Sequence, residues 1–370
     1  MKASHKIQAI FCVAGTVLMF GASDAWAGYT FTTFDVSTQL GGLLGFTNAT
    51  GVNNAGQVVG FIGPANNAGA SVSPSGSNGY DGFIDNGGTF TQIDVPGAQP
   101  QTTEVSGINN SGQITGTFID SGPGTPHGFV TSGTAYTNPT NYTQLDAPSA
   151  TVGNSIGITN AFGLNNSGTV VGGTGSVNGL NGFSYNTSSQ TFTAVNVSPA
   201  LAESNSTQAQ GVNDAGHIAG YFIGNDGQLH GFIDSAGNFV QLDAPFATVV
   251  DTNGTHGGST YAMGLNNSDD VVGYVYDGLG NIHGFVEDGG VFTEIDVPPG
   301  ADAFGTDPYG TEVLGINDGG ELVGIYNDDA GTHGFIATLN DAPEPASLAL
   351  LGFGILGLLT VYRGRVVRGC

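Results

Sequence analysis

The chain reads as an all-β protein built from one unit repeated six times. Three observations predict this. Glycine and proline make up about one residue in five, 64 and 15 of 370, with no period of three. One short motif recurs six times along the chain, and three further strand-like runs follow most copies. So much glycine penalises long helices. A hydrophobic content of 39% is nevertheless enough for a packed core.

The first element in chain order is residues 1–27, which read as a secretory signal peptide. Lys2 and Lys6 form a basic start, an apolar run spans Ile7 to Ala22, and Ala25-Trp26-Ala27 supplies the small-x-small cleavage pattern before Gly28. Its removal takes away Cys12 and the only tryptophan, so no intrachain disulfide is expected in the body.

The body, 28–340, carries the repeat. The motif T-x-[A/V]-x-G-[I/L/V]-N-[N/D] starts at Thr103, Thr159, Thr207, Thr260 and Thr311, and Thr47 to Asn54 has the same shape. Its glycine falls at Gly51, Gly107, Gly163, Gly211, Gly264 and Gly315, in steps of 56, 56, 48, 53 and 51 residues. A second run follows (GQVVGFI, GHIAGYFI), then a third opening with Gly-Phe, then a fourth of the form FTxID. The Asn-Asn-x-Gly or Asn-Asp-x-Gly links between the first two runs suit tight hairpins, because these residues tolerate positive φ.

Four strands in about 50 residues is the size of a propeller blade. The sixth unit lacks its fourth strand, and an orphan copy, YTFTTFDV, stands at Tyr29 to Val36. The expected architecture is therefore a six-bladed ring of four-stranded blades, closed by the N-terminal strand. Such closure usually makes the fourth strand the outermost, which places the motif strand at the axis.

The repeat resembles the HAF family of extracellular repeats. Its triplet stands here as His-Gly-Phe, with His127, His230, His283 and His333, while Asp81 and Asn181 replace the histidine in two units. The resemblance spans 29–340 and implies a secreted repeat architecture without an assigned activity.

The last element is residues 341–370. Pro343-Glu344-Pro345 precedes an apolar run over 346–362, and Arg363, Arg365 and Arg368 follow. Seventeen residues at 1.5 Å rise reach about 25 Å, enough for one transmembrane helix with its arginines on the cytoplasmic side. This order of Pro-Glu-Pro, apolar helix and arginines resembles the PEP-CTERM sorting signal. That resemblance implies export through the Sec machinery, a transient hold in the inner membrane, recognition by exosortase, and delivery to the cell surface or the exopolysaccharide matrix.

Charge then narrows the function. There are 30 acidic residues and five Lys or Arg, all five within eight residues of a terminus. Nucleic acid is excluded as a partner, because gripping phosphate requires Lys or Arg. No G-x-S-x-G elbow, H-E-x-x-H or phosphate loop occurs. No catalytic or cofactor-binding residue is therefore expected. Repeated acids such as Asp94, Asp146, Asp243 and Asp296 in the FTxID strands read as structural. The four histidines, on third strands of different units, stand too far apart to share a metal and read as hydrogen-bonding caps to neighbouring turns.

Loop acids, among them Asp226, Asp277, Asp328 and Asp329, are the candidates for Ca²⁺. Their spacing matches no twelve-residue calcium loop, and a solvated acidic rim is the competing reading. The leading expectation is a non-enzymatic surface or matrix protein with a binding or structural role, its ligand an exopolysaccharide or another glycan. The alternative is a secreted enzyme acting on polysaccharide through channel-mouth carboxylates such as Glu104 and Glu312.

Overall fold

The computed structural model describes residues 25–26, 28–36, 45–64, 79–122, 124–148, 155–176, 179–247, 258–277, 281–298 and 310–340. The fold is all-β and propeller-like. Among the described residues the only helical element is a single 3₁₀ turn, Pro139–Asn141.

Each motif copy opens a four-stranded antiparallel meander. In the first unit the strands are Gly45–Val52, Gln57–Pro64, Asp81–Asn86 and Phe90–Ile93, hydrogen-bonded in that order. The second unit runs Glu104–Ile108, Ile114–Ile119, Pro126–Thr131, Tyr142–Leu145. The third runs Ser155–Leu164, Thr169–Ser176, Gly179–Asn186, Thr191–Val195. The fourth comprises Ala202–Val212, Ile218–Gly224, Leu229–Ser235 and Asn238–Leu242. The fifth comprises Ser259–Leu265, Val271–Tyr276, Ile282–Asp288 and Val291–Ile295. The sixth unit supplies only Gly310–Ile316, Leu322–Asp328 and Gly331–Leu339, and its third strand pairs antiparallel with the N-terminal Tyr29–Phe34.

The motif residues explain themselves in this geometry. The asparagine side chain nucleates the first hairpin: Asn53 Oδ1 accepts from the N–H groups of Ala55 and Gln57, both at 3.0 Å. The turn glycine that follows has positive φ, 72° at Gly56, and in the fifth unit Asp269 adopts the same conformation at 68°. The motif glycines touch across neighbouring units. A Cβ on Gly211 would lie 3.0 Å from the Cα of Gly264, and one on Gly315 would lie 3.1 Å from the Cα of Gly51. The second-strand glycine carries the ring of the third-strand phenylalanine. A Cβ on Gly220 would stand 2.0 Å from the Gln208 carbonyl and 2.8 Å from Phe232. All six of these phenylalanines, Phe83, Phe129, Phe183, Phe232, Phe285 and Phe335, are fully buried.

The motif threonine is a latch between units. Thr103 Oγ1 accepts from Val95 N–H at 3.1 Å, just beyond the fourth strand of the preceding unit. Thr159, Thr207, Thr260 and Thr311 repeat the bond to Ala147, Val197, Ala244 and Val297 at 3.0–3.2 Å. Thr47 makes the same bond to Val36, directly after the N-terminal strand. The apolar cores accordingly lie between neighbouring sheets. One joins Val36 and Val323 to Ala49, Val58 and Phe83.

The expected transmembrane segment 346–362 lies outside the described residues. Among the described residues no helix is long and apolar enough to cross a membrane. Of the cleavage-site residues, Ala25 pairs with Thr30 in a short strand, Ala25–Trp26. Ala27, Pro343, Glu344, Pro345, Arg363 and Arg365 lie outside the described residues.

Candidate functional site

The first strands surround an axial cavity of about 820 Å³. Alternation along these strands sorts their side chains into tiers, because successive residues face opposite sides. The second motif position supplies Asn48, Glu104, Asn160, Gln208 and Glu312 to the cavity wall. The fourth, which sits at a register shift in every unit, supplies Thr50, Ser106, Phe162, Gln210, Met263 and Leu314. Below these, Val52, Ile108, Leu164, Val212, Leu265 and Ile316 form an apolar floor.

Beneath the floor, asparagines tie the units together. Asn53 Nδ2 donates to the Asn109 carbonyl, Asn109 to Asn165, Asn165 to Asn213, Asn213 to Asn266, Asn266 to Asn317, and Asn317 back to Asn53, at 2.8–3.5 Å. A second set runs in parallel one residue on, from the N–H of Asn54 to Asn110 Oδ1 and so around to the N–H of Asp318, which donates to Asn54 Oδ1. The carbonyls and side-chain oxygens at this end are therefore already engaged with protein donors.

Two aromatic groups border the cavity. Tyr261 stacks on Tyr274 with centroids 4.7 Å apart and planes 12° apart, and Tyr221 and Tyr276 pack edge-on against Tyr261 at 5.0 and 5.9 Å. Burial pushes the Tyr221 and Tyr261 phenols up to about 12, so both stay protonated. Phe46, Phe61 and Tyr80 form the other group, with centroids 5.7–6.1 Å apart.

The two sequence-predicted carboxylates, Glu104 and Glu312, both reach this cavity. They stand on the first strands of units two and six, with unit one between them. Burial pushes Glu104 up to about 8 and Glu312 to about 7, and in each case burial alone is the cause.

The four repeated histidines lie elsewhere, at the start of the third strands. The sequence reading expected them to cap neighbouring turns. Their first partner is instead the aspartate directly after the fourth strand: His230 Nδ1 is 2.7 Å from Asp243, and His333 Nδ1 is 2.9 Å from Asp35. A loop acid on the same unit faces the other ring nitrogen. Asp226 is 3.2 Å from His230 Nε2, Asp328 is 3.1 Å from His333 Nε2, and Asp277 is 3.7 Å from His283 Nε2. Asp226, Asp277 and Asp328 are thus distributed over three units, each with its own histidine, and Asp329 is exposed. The structure does not draw these four candidates into one group.

One convergence escaped the sequence reading. Among the described residues, the group whose ligand atoms all lie within 4.8 Å of one another is His283, Glu294 and Asp296. The signal was present as the glutamate in FTEID, where units one, two and four carry glutamine.

Comparison with known proteins identifies one end of the chain. Residues 341–365 match the PEP-CTERM protein-sorting motif. This motif marks the chain for export and cell-surface sorting, with exosortase as the processing partner. Among curated proteins, none matches the chain. Among solved structures, the chain is similar to an Aleuria aurantia lectin mutant in complex with Fucα1-6GlcNAc, at 12% identity and a TM-score of 0.47, covering 82% of this chain and 98% of that one. It is similar to a putative TolB from Agrobacterium tumefaciens at 11% identity and a TM-score of 0.46, covering 72% and 87%. It is also similar to Trypanosoma rangeli sialidase in complex with the inhibitor DANA, at 11% identity and a TM-score of 0.43, covering 83% and 55%. At these scores the likenesses assign neither a ligand nor an activity.

Proposed function

We propose that the body, 28–340, is a closed six-bladed ring of HAF-type repeats that binds neutral sugar segments of a surface or matrix polysaccharide in its axial cavity, without catalysing a reaction. The observation that carries this reading is the wall of that cavity. It combines aromatic faces with amides and hydroxyls in a volume suited to a few sugar rings. Tyrosine faces suit the C–H faces of sugars, and amides suit their hydroxyls. Glu104, pushed up to about 8, is protonated at neutral pH and can donate a hydrogen bond. The body has no Lys or Arg to pair with a uronate or sulfate, so acidic polymers are disfavoured. Closure of the ring is supported by the two sets of asparagine and aspartate hydrogen bonds that return to the first unit. The apolar run 346–362 would hold the precursor in the inner membrane until exosortase acts.

The rival reading is a polysaccharide-cleaving enzyme using Glu104 and Glu312. Paired glycosidase carboxyls stand about 5–9.5 Å apart, close enough to perturb one another. Here the two stand on first strands of different units, with unit one between them, which supports binding over cleavage.

The test is a glycan array carrying neutral, amino and acidic polysaccharides, probed with the secreted protein. Neutral glycans should bind, and Tyr276→Ala, at an exposed tyrosine on the cavity wall, should weaken binding roughly tenfold, the loss of one stacking contact of about 1.4 kcal/mol. Absence of any neutral ligand, or binding indifferent to this variant, sinks the proposal. Release of sugar from the probes would favour the enzyme.

A further inference from the structure

The six units serve as one another's controls, and one position separates the fifth unit from its sisters. In units two and four, a glutamine two residues before the fourth-strand aspartate binds both partners of the histidine pair. Gln144 Nε2 lies 2.8 Å from Asp146 Oδ2 and 3.1 Å from His127 Nδ1. Gln241 Nε2 lies 2.7 Å from Asp243 Oδ2 and 3.0 Å from His230 Nδ1. A proton-donating amide thus sits at the point where ring nitrogen and carboxylate converge. In unit five the same place is held by Glu294, which brings an acceptor and a negative charge instead of a donor.

The consequence is a cluster of three metal-binding atoms. His283 Nδ1 stands 2.8 Å from Asp296 Oδ2 and 3.2 Å from Glu294 Oε1. Ligands about 2.1 Å from a tetrahedral ion lie roughly 3.4 Å from one another, so the two separations at His283 Nδ1 need to open by only about 0.2–0.6 Å. The second carboxyl oxygen of Asp296 is buried without a hydrogen-bond partner. The far ring nitrogen, His283 Nε2, faces Asp277 Oδ2 at 3.7 Å. That separation is longer than a hydrogen bond, but it sets a carboxylate beside the imidazole nitrogen opposite the metal, where a carboxylate that closes to hydrogen-bond distance orients a ligating histidine and raises its basicity. Glu294 is half exposed, which leaves the remaining coordination positions open to water.

We propose that His283 Nδ1, Glu294 and Asp296 bind a divalent transition-metal ion, with Zn²⁺ the ion best matched to one imidazole and two carboxylates, and with Asp277 positioning the histidine. The site lies within one unit, at the outer part of its sheet, and is independent of the axial cavity. It differs from the calcium reading of the loop acids: one nitrogen and two carboxylates on a rigid two-stranded ladder suit zinc better than a hard cation seeking six to eight oxygens.

The test uses the secreted protein stripped with EDTA and titrated calorimetrically with ZnCl₂, alongside the visible absorption of added Co²⁺. One ion per chain should bind. Glu294→Gln copies the residue of units two and four, so it should preserve folding while weakening Zn²⁺ binding at least tenfold. The converse change, Gln241→Glu, should create a second equivalent site in unit four around His230 and Asp243. Binding that Glu294→Gln leaves unchanged would overturn the assignment, as would failure of the parent to take up Zn²⁺ or Co²⁺. A Gln241→Glu protein that gains no second equivalent would overturn the trio as the sufficient unit. Equal displacement of Zn²⁺ by millimolar Ca²⁺ would overturn the choice of metal.

Discussion

At the scale of single residues, the body's histidines are its only cations, and the fold places most of them between carboxylates. His333 is the most enclosed: burial opposes its charge, but the hydrogen bond it donates to Asp35 and the charges of Asp35 and Asp328 outweigh this and raise it, with the Tyr326 ring packed at 5.1 Å. Its folded value lies above the unfolded 6.5, so its contribution is full below about pH 6.5 and is lost as pH rises through the folded value. Thermal melts should therefore show lower stability at pH 8 than at pH 6, and His333→Gln should shrink that difference. Equal differences in parent and variant would remove His333 from the account. Glu104 acts in the same direction for another reason. Burial lifts it from 4.5 to about 8, so stability falls as pH rises across that interval. Glu104→Gln should stabilise the protein at pH 8 by on the order of 1–3 kcal/mol, with water in the cavity moderating the effect, and should do little at pH 5. Chemical denaturation at the two pH values measures this directly.

At the scale of the element, the N-terminal strand carries more than its length suggests. Tyr29–Phe34 completes the sheet of a unit that begins 281 residues later at Gly310, and Val36 behind it takes the Thr47 latch. Phe31 is buried against Phe335 at 5.8 Å. Phe31→Ala should cost about 3–5 kcal/mol, read as a lowered denaturation midpoint. Deleting residues 29–36 should go further, baring the edge of Gly331–Leu339 and promoting aggregation detectable by light scattering. A deletion that melts like the parent would mean that the strand is peripheral. The strand's role was legible because its FTxID-like pattern is missing from the sixth unit. The threonine latch was visible only as a recurring letter: a buried Oγ accepting from a different unit depends on how the sheets are stacked.

At the scale of the whole molecule, export and architecture belong to separate stretches of chain. The sorting motif occupies 341–365, outside the strands that build the body. Replacing Pro343-Glu344-Pro345 with alanines should leave folding of the body unchanged while blocking release, so that fractionation finds the protein in the membrane. Normal release of that variant would reduce the tail to a simple anchor. Folding of the body rests on repeated local hairpins joined by latches and asparagine bonds, with no Lys or Arg between Lys6 and Arg363 in a chain whose net charge is −25.

The repeat period, the four strands of each unit, the inward placing of the motif strand and the sorting tail were all determined by sequence alone. Each is written in local patterns: alternation, turn chemistry, an apolar run between fixed flanks. Which side chains meet was decided by tertiary structure. Asn53 and Asn317 are 264 residues apart yet share a hydrogen bond, and Glu104 and Glu312, 208 residues apart, line one cavity. In the sequence the four histidines stand one to a unit, which speaks against a zinc site shared among them and leaves only loop acids as Ca²⁺ candidates; the acids across each histidine's own ladder are not apparent there. The ladder instead sets His283 opposite Asp296, and Glu294, two residues before Asp296, points to the same face of the sheet. The period-two geometry of paired strands gathers those three side chains, and cross-strand register is a property of the folded sheet rather than of any single stretch of letters.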